Sequence, residues 1–284
     1  MSPAAHWRSA WKRHAADVLE LARVSLLPPT IVLWAGPSEL DGTPIMLTAS
    51  RVKDPSENRK TGDMIQVSIM RQDLSPIDAW RIGADGAVCP EACGHRSKAR
   101  GGRGTCYVNK ARLTSTHAAA VRALRAGRVG VPPFLFARAR VRLGMEGDPA
   151  AVPLAVIAPV LTAAGAWTGY TAAWRTLPPE WSRYLMASCD TPADAAEALL
   201  RGWRPFASST SPAEDRAYED AGLTLCDSER PTPRACVACH RCNGKAHNAA
   251  RPGAYLPIHG AIGSTYRKKA DPPAPGADLL APSP

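Results

Sequence analysis

The 284-residue sequence lacks any apolar run long enough to cross a bilayer. Its longest apolar stretch, VPLAVIAPVLTAAGAW from Val152 to Trp167, carries two prolines and falls short of the roughly 20 residues that a spanning helix needs. The opening residues, MSPAAHWRSAWKRHAADVLELARVSLLPP, hold no uninterrupted apolar segment before a small-residue cleavage site, so no secretory signal is read. Also missing are a GxSxG elbow, an HExxH helix and a GxxxxGK[ST] loop, which removes the usual anchors of hydrolase, zincin and P-loop readings. These absences predict a cytosolic protein with no membrane association, in a compartment where thiols stay reduced.

What is present is positive charge and cysteine. Thirty-five lysines and arginines against 25 acids give a formal charge of +10, which favours polyanions and makes nucleic acid or a phosphorylated ligand an expected partner. The alternative is that the arginines lie on solvated faces. An apolar fraction of 45% is ordinary for a globular protein.

The eight cysteines fall into a group of three, Cys89, Cys93 and Cys106, a group of four, Cys226, Cys236, Cys239 and Cys242, and an isolated Cys189. In a reduced compartment such groups bind metal more often than they form disulfides. Three ligands leave one coordination position free for chemistry, whereas four can close a structural site. The first group lies in CPEACGHRSKARGGRGTCYVN, whose glycine-rich insert lets Cys106 return to the other two. Arg96, Lys98, Arg100 and Arg103 in that insert are expected to favour thiolates, and His95 is a candidate fourth ligand of a zinc site. The second group ends in CxxCxxC and fits either a [4Fe-4S] cluster or a four-thiolate zinc site. His240 is expected to point outward, and Arg230, Arg234, Arg241, Lys245 and Arg251 could form a phosphate-binding knuckle.

Residues 5 to 24 read as a helix, and KKADPPAPGADLLAPSP as a disordered tail. Between them SPIDAWRIG, TPADAAEALLRG and SPAEDRAYEDAG each place a capping hydroxyl, then proline, then an acid, before an alanine-containing run ending at glycine, which predicts three helices. MIQVSIM, RARVRLG, WTGYT, YLMASC and WRPFAS read as strands. Their alternation with helices predicts an α/β fold with a mainly parallel sheet, and function at the carboxyl ends of its strands: Gly144 to Pro149, Gly169 to Trp174, and Cys189 with Asp190. The expected division is a helical extension over 1–29, an α/β core over 30–222, a cysteine-rich metal or cluster module over 223–267, and the tail over 268–284. NRKTG, Asn58 to Gly62, reads as a turn before a strand, and His259 as a loop histidine.

NRKTGDMIQ, CPEAC…CYVN, RLGMEGDPAAVP, TGYTAAW, LMASCDTPADAAEALLRGW and the late cysteine group together resemble an uncharacterised family of bacteriophage and prophage proteins, over roughly residues 45 to 262. That resemblance implies a bacterial host and assigns no activity. The family's histidine after GYT is replaced here by Ala172.

CxxxC followed by Cys106-Tyr107, then GMEGDP at Gly144 to Pro149, then a late four-cysteine motif, is also distantly similar to radical S-adenosylmethionine enzymes. The gap of twelve residues before Cys106 is longer than in those enzymes. This similarity implies a partial (β/α) barrel with a C-terminal cysteine-rich extension, and one or two [4Fe-4S] clusters. Cys89, Cys93 and Cys106 would leave one iron for S-adenosylmethionine, whose cleavage yields a 5′-deoxyadenosyl radical. It implies a cofactor site at Gly144, Glu146, Asp148, Tyr170 and Trp174, with Glu146 or Asp148 meeting the methionyl ammonium. Asp148 before Pro149 also reads as a helix N-cap, and Tyr170 and Trp174 as core. Two functions stay open: a radical-type iron-sulfur enzyme acting on a nucleotide or nucleic-acid-related substrate, and a non-catalytic zinc or iron-sulfur protein that binds nucleic acid.

Overall fold

Alternating apolar residues build the first part of the molecule. The computed structural model describes residues 26–53, 58–131, 135–137, 139–245 and 250–258. The helix expected over residues 5 to 24, His259 and the proline-rich tail lie outside the described residues. β1 (Thr30–Pro37), β2 (Pro44–Ser50) and β3 (Ile65–Arg71) form an antiparallel meander. On β2, Ile45, Leu47 and Ala49 enter the main core, while Met46 joins Val32 and Met70 on the opposite face. Side chains of successive strand residues point to opposite faces, so one strand serves two cores.

After α1 (Pro76–Ile82), helix α2 (Thr114–Arg125) covers that opposite face with Ala120 and Ala123. β4 (Arg140–Leu143) then pairs parallel with β3, and after α3 (Leu154–Ala163), β5 (Ala166–Thr168) pairs parallel with β4. The chain bends at Gly169 into β6 (Tyr170–Thr171), which begins a second sheet. A Cβ at Gly169 would sit 2.7 Å from Leu185 Cδ2, so a larger residue there would push the Leu185 side chain aside. β7 (Met186–Cys189), α4 (Pro192–Leu200), β8 (Pro205–Ser209), α5 (Pro212–Asp220), β9 (Thr224–Leu225), the single turn α6 (Cys236–Cys239) and β10 (Ala254–Pro257) complete the described chain. The strand orders are β1-β2-β3-β4-β5 and β6-β7-β8-β10-β9, and every pairing in the second sheet is parallel.

The protein is therefore a mixed α/β fold in which parallel pairing dominates and no barrel is closed. The antiparallel meander departs from the mainly parallel expectation, because β1 and β2 follow each other through a short turn that permits only antiparallel pairing. Both sheets share one core: Ile45, Ile69, Leu143 and Trp167 of the first pack with Leu185, Ala187, Ala207 and Tyr255 of the second and its flanks. Of the segment expected as a separate module over 223–267, β10 inserts between β8 and β9 of the second sheet. Among the described residues no helix is long and apolar enough to cross a membrane.

The three helices expected from their caps are α1, α4 and α5. Ser75, Thr191 and Ser211 accept from the backbone amides of Asp78, Asp194 and Glu214, and Thr191 with Asp194 closes a full capping box. The late segment is tied down by Arg204, 3% exposed, whose guanidinium donates to the carbonyls of Gly244, Arg251 and Pro252.

Candidate functional site

The early cysteine loop is assembled by backbone bonds. Asp85 O accepts from the amides of Val88 and Cys89, at 3.1 and 2.9 Å, and Pro90 O accepts from Cys93 N at 3.0 Å. The long insert folds back on itself through Arg103 N to Gly94 O and Gly104 N to Arg96 O, at 2.9 and 3.0 Å. That reversal returns Cys106 to Cys89 and Cys93 despite the gap of twelve residues.

His95 does not reach the thiols as a ligand. One ring nitrogen meets Thr105 Oγ1 at 2.8 Å and the other Asp190 Oδ1 at 3.0 Å, while Arg103 grips the second oxygen of Asp190. This clamp fastens the insert to the carboxyl end of β7. Arg96 donates to the carbonyls of Glu91, Cys93 and Arg100, and Arg100 to that of Cys89. These arginines were expected to act on the thiolates; instead they stitch the loop's backbone, and the main positive influences on the thiols come from His95 and Lys110.

The turn after β4 faces this loop. Met145 N donates to Val67 O, Glu146 O accepts from Ile69 N, and Asp148 N donates to Val88 O at 2.7 Å, joining the turn to β3 and to the cysteine loop. Gly147, with φ of 78°, brings the chain so close to β3 that a Cβ would lie 2.6 Å from Ile69 O. Glu146 is bound at both oxygens by Lys110 Nζ, at 2.8 and 2.9 Å. Asp148 caps the following turn through Ala150 N and also accepts from Ala172 N at 2.7 Å.

Cys89, Cys93, Cys106, Gly144, Glu146, Asp148 and Tyr170 line one cavity of about 190 Å³. Trp174 does not line it: the ring is 1% exposed in the core, donates to Ser188 O and lies under the Arg175 guanidinium. Asp85 and Lys110, which no motif marks, also line the cavity. Asp85 is 3% exposed, and its Oδ1 accepts no hydrogen bond among the described residues; the nearest cation, Arg100, is 3.9 Å away. Lys110 sits 36 positions from its partner Glu146, so only folding joins them.

Within the cavity Cys89 and Cys93 act on each other's protonation. The neighbouring Cys89 thiol, aided by His95 against the effect of burial, lowers the Cys93 thiol below its ordinary value, while Cys93 and burial push Cys89 up. Burial raises Cys106, with Lys110 opposing. Burial also raises Asp148 against its amide donors.

The late group lines a second cavity of about 640 Å³, and Tyr170 borders both. The NRKTG turn holds α6: Lys60 O and Thr61 O accept from the amides of Cys236 and Val237 at 2.8 and 3.0 Å. Cys242 O accepts from Gly169 N, and its thiol and the Tyr170 phenol act on each other's protonation. Burial takes Cys242 up to about 12, and burial with Asp227 takes Cys239 up to about 11. His240 turns its Nε2 to Val237 O, away from the thiols. Of the arginines expected to form a phosphate knuckle, Arg230 and Arg241 are paired with Asp227 and Arg251 donates to Cys239 O. Cys189 is buried in the core, with its thiol on Ala187 O.

Among the described residues no three His, Cys, Asp or Glu side chains stand in an arrangement that could hold a metal ion without adjustment. The thiols instead satisfy one another and their neighbours, as Cys239 does on Asp227 and Cys226 on Ser228. The donor chemistry of each group, all sulfur and gathered on one cavity wall, fits an iron-sulfur cluster or zinc once side chains rotate. Neither a family model, nor a curated protein, nor a solved structure matches this chain.

Proposed function

We propose that the protein is an iron-sulfur enzyme of the radical S-adenosylmethionine type, with its reactive centre at Cys89, Cys93 and Cys106. The observation that carries this reading is that one cavity joins these three thiols to the Gly144–Asp148 turn and Tyr170. The turn and Tyr170 lie at or just beyond the carboxyl ends of β4 and β5/β6, and the cysteine loop follows β3 after α1; β3, β4 and β5/β6 are neighbours in parallel register if β5 and β6 are taken as one strand bent at Gly169. With β7, β8 and β10 continuing in parallel, we read the two sheets as an open partial (β/α) barrel, and the late cysteine segment as a metal-binding extension packed against it.

When bound, a cluster held by three thiolates supplies an electron for reductive cleavage of the sulfonium of S-adenosylmethionine. The protein's own residues have separable tasks. Cys89, Cys93 and Cys106 hold the cluster; the His95–Asp190–Arg103 clamp fixes their loop. Glu146 neutralises Lys110 beside Cys106, and Asp148 fixes the turn against β6, so both carboxylates are already engaged. Asp85, with an unbonded buried oxygen on this cavity, takes the methionyl ammonium in their place. The late thiols hold a second cluster or zinc.

Anaerobically purified protein is expected to be brown, to contain iron and sulfide, and after reduction to release 5′-deoxyadenosine from S-adenosylmethionine. Cys93→Ser is expected to abolish that release while leaving the metal of the late group in place, and Asp85→Asn to weaken S-adenosylmethionine binding. Colourless protein holding only zinc, with no cleavage, would overturn the reading in favour of a structural metal protein.

A further inference from the structure

We propose that the larger cavity, about 640 Å³, binds a nucleoside monophosphate-sized ligand. Small-molecule sites typically measure roughly 300–1,000 Å³, so this volume suits a single nucleotide and excludes a duplex.

The charge is the first observation. Arg51, Arg112, Arg142 and Arg234 line the cavity, and among the described residues none of their side chains makes a hydrogen bond or ion pair. Among the described residues Asp227 is the one carboxylate on its wall, and it is already taken by Arg230 and Arg241. Arg142 matters most. It projects from β4 in register with Gln66 of β3 and Thr168 of β5, and all three line the cavity. Its guanidinium is half-buried on a sheet face near the Cys236 thiol, has no carboxylate paired to it among the described residues, and presents a planar fork that suits phosphate oxygens.

The second observation is independent of charge. Thr61 is 8% exposed, lines the same cavity, and its Oγ1 has no hydrogen-bond partner among the described residues. Such an orphaned hydroxyl beside the cavity calls for a partner, which a ligand atom or an ordered water can supply. A planar base has matching surface in Tyr107, which is 45% exposed, and in Phe206, which packs against Tyr170 with ring centroids 4.5 Å apart.

Tyr170 also borders the early cysteine cavity, so a ligand held here reaches toward that centre. Its role as substrate rests on the function proposed above; its binding does not. The test is calorimetric titration of the full chain, with and without metal, using AMP, GMP, CMP and UMP, each nucleoside, and inorganic phosphate. At least one monophosphate is expected to bind on the order of tenfold more tightly than its nucleoside and than phosphate alone, with or without iron. Arg142→Gln with Arg112→Gln is expected to remove that preference, while exposed Arg125→Gln leaves it and thermal unfolding shows that each variant folds. Binding of no monophosphate, equal binding of nucleoside and nucleotide, or tighter binding of a single-stranded oligonucleotide would overturn the proposal. So would an Arg142 variant that loses metal from the late group yet keeps nucleotide affinity, since Arg142 also favours the Cys236 thiolate. Nucleotide binding without S-adenosylmethionine cleavage would sink the radical reading and leave this site standing.

Discussion

Lys110 extends its ammonium to both carboxylate oxygens of Glu146, at 2.8 and 2.9 Å, with the two side chains only 9% and 4% exposed. Burial works to lower the lysine, but the Glu146 charge and hydrogen bond together with the neighbouring Cys106 and Cys89 raise it and hold Lys110 as ammonium; burial raises Glu146 against the pull of Lys110. The two shifts pull in opposing senses for an ion pair, and the two-point contact decides for ammonium and carboxylate. Lys110→Met leaves an uncompensated buried charge and is expected to cost about 3–5 kcal/mol in urea denaturation. The Lys110→Met/Glu146→Leu double variant should lose less than the single one. An additive loss would show that the pair is not coupled.

Asp190 is the acceptor that fastens the cysteine insert. Burial acts to raise its carboxyl, but His95 and Arg103 together hold it below the usual range. A carboxylate depressed in the fold contributes stability above the unfolded value of about 3.9, and that contribution is lost as pH falls through the folded value. Asp190→Asn is therefore expected to cost about 1.5–3 kcal/mol at neutral pH and to flatten the acid limb of the stability profile. It should also speed the reaction of Cys93 with a thiol reagent in metal-free protein, because the loop is no longer clamped.

His117 is 8% exposed and donates to Arg71 O at 2.9 Å; burial lowers its pKa, so it is neutral in the fold. Below the unfolded value of about 6.5 the unfolded chain takes up a proton that the folded one resists, so stability falls as pH drops through that range. Denaturation midpoints measured from pH 7.5 to pH 5 should show this decline in the wild type and a shallower one in His117→Gln.

Gly147 and Gly42 share a left-handed backbone, with φ of 78° and 77°, yet a Cβ at Gly42 meets nothing within 4 Å whereas one at Gly147 lies 2.6 Å from Ile69 O. Gly42→Ala is expected to cost about 1–2 kcal/mol, the intrinsic penalty of that conformation. Gly147→Ala should cost more and displace Glu146 from Lys110. Equal costs in chemical denaturation would contradict the close approach.

Several elements were legible because their causes are local. α1, α4 and α5 each announce themselves by hydroxyl, proline and acid in the first turn, and α4 and α5 appear where their caps put them. β3, β4, β7 and β8 follow from short apolar runs between such helices. α2 escaped notice because it starts at Leu113 with no side-chain cap, and α3 because Pro159 lies inside it. The β1–β2 meander was not read at all, and the placement of β10 between β8 and β9 has no sequence signature.

At the candidate site the division is sharper. The amino-acid order alone determined that Cys89 lies near Cys93 and that Cys236, Cys239 and Cys242 lie near one another, because two- and three-residue gaps leave neighbours little room to part. Only tertiary structure decided what those thiols face. His95 was committed to Asp190, 95 positions away, Glu146 to Lys110, and Tyr170 to the boundary between two cavities. Such partnerships depend on sheet order and on desolvation, which act between residues distant along the chain and leave no periodic or positional trace in it.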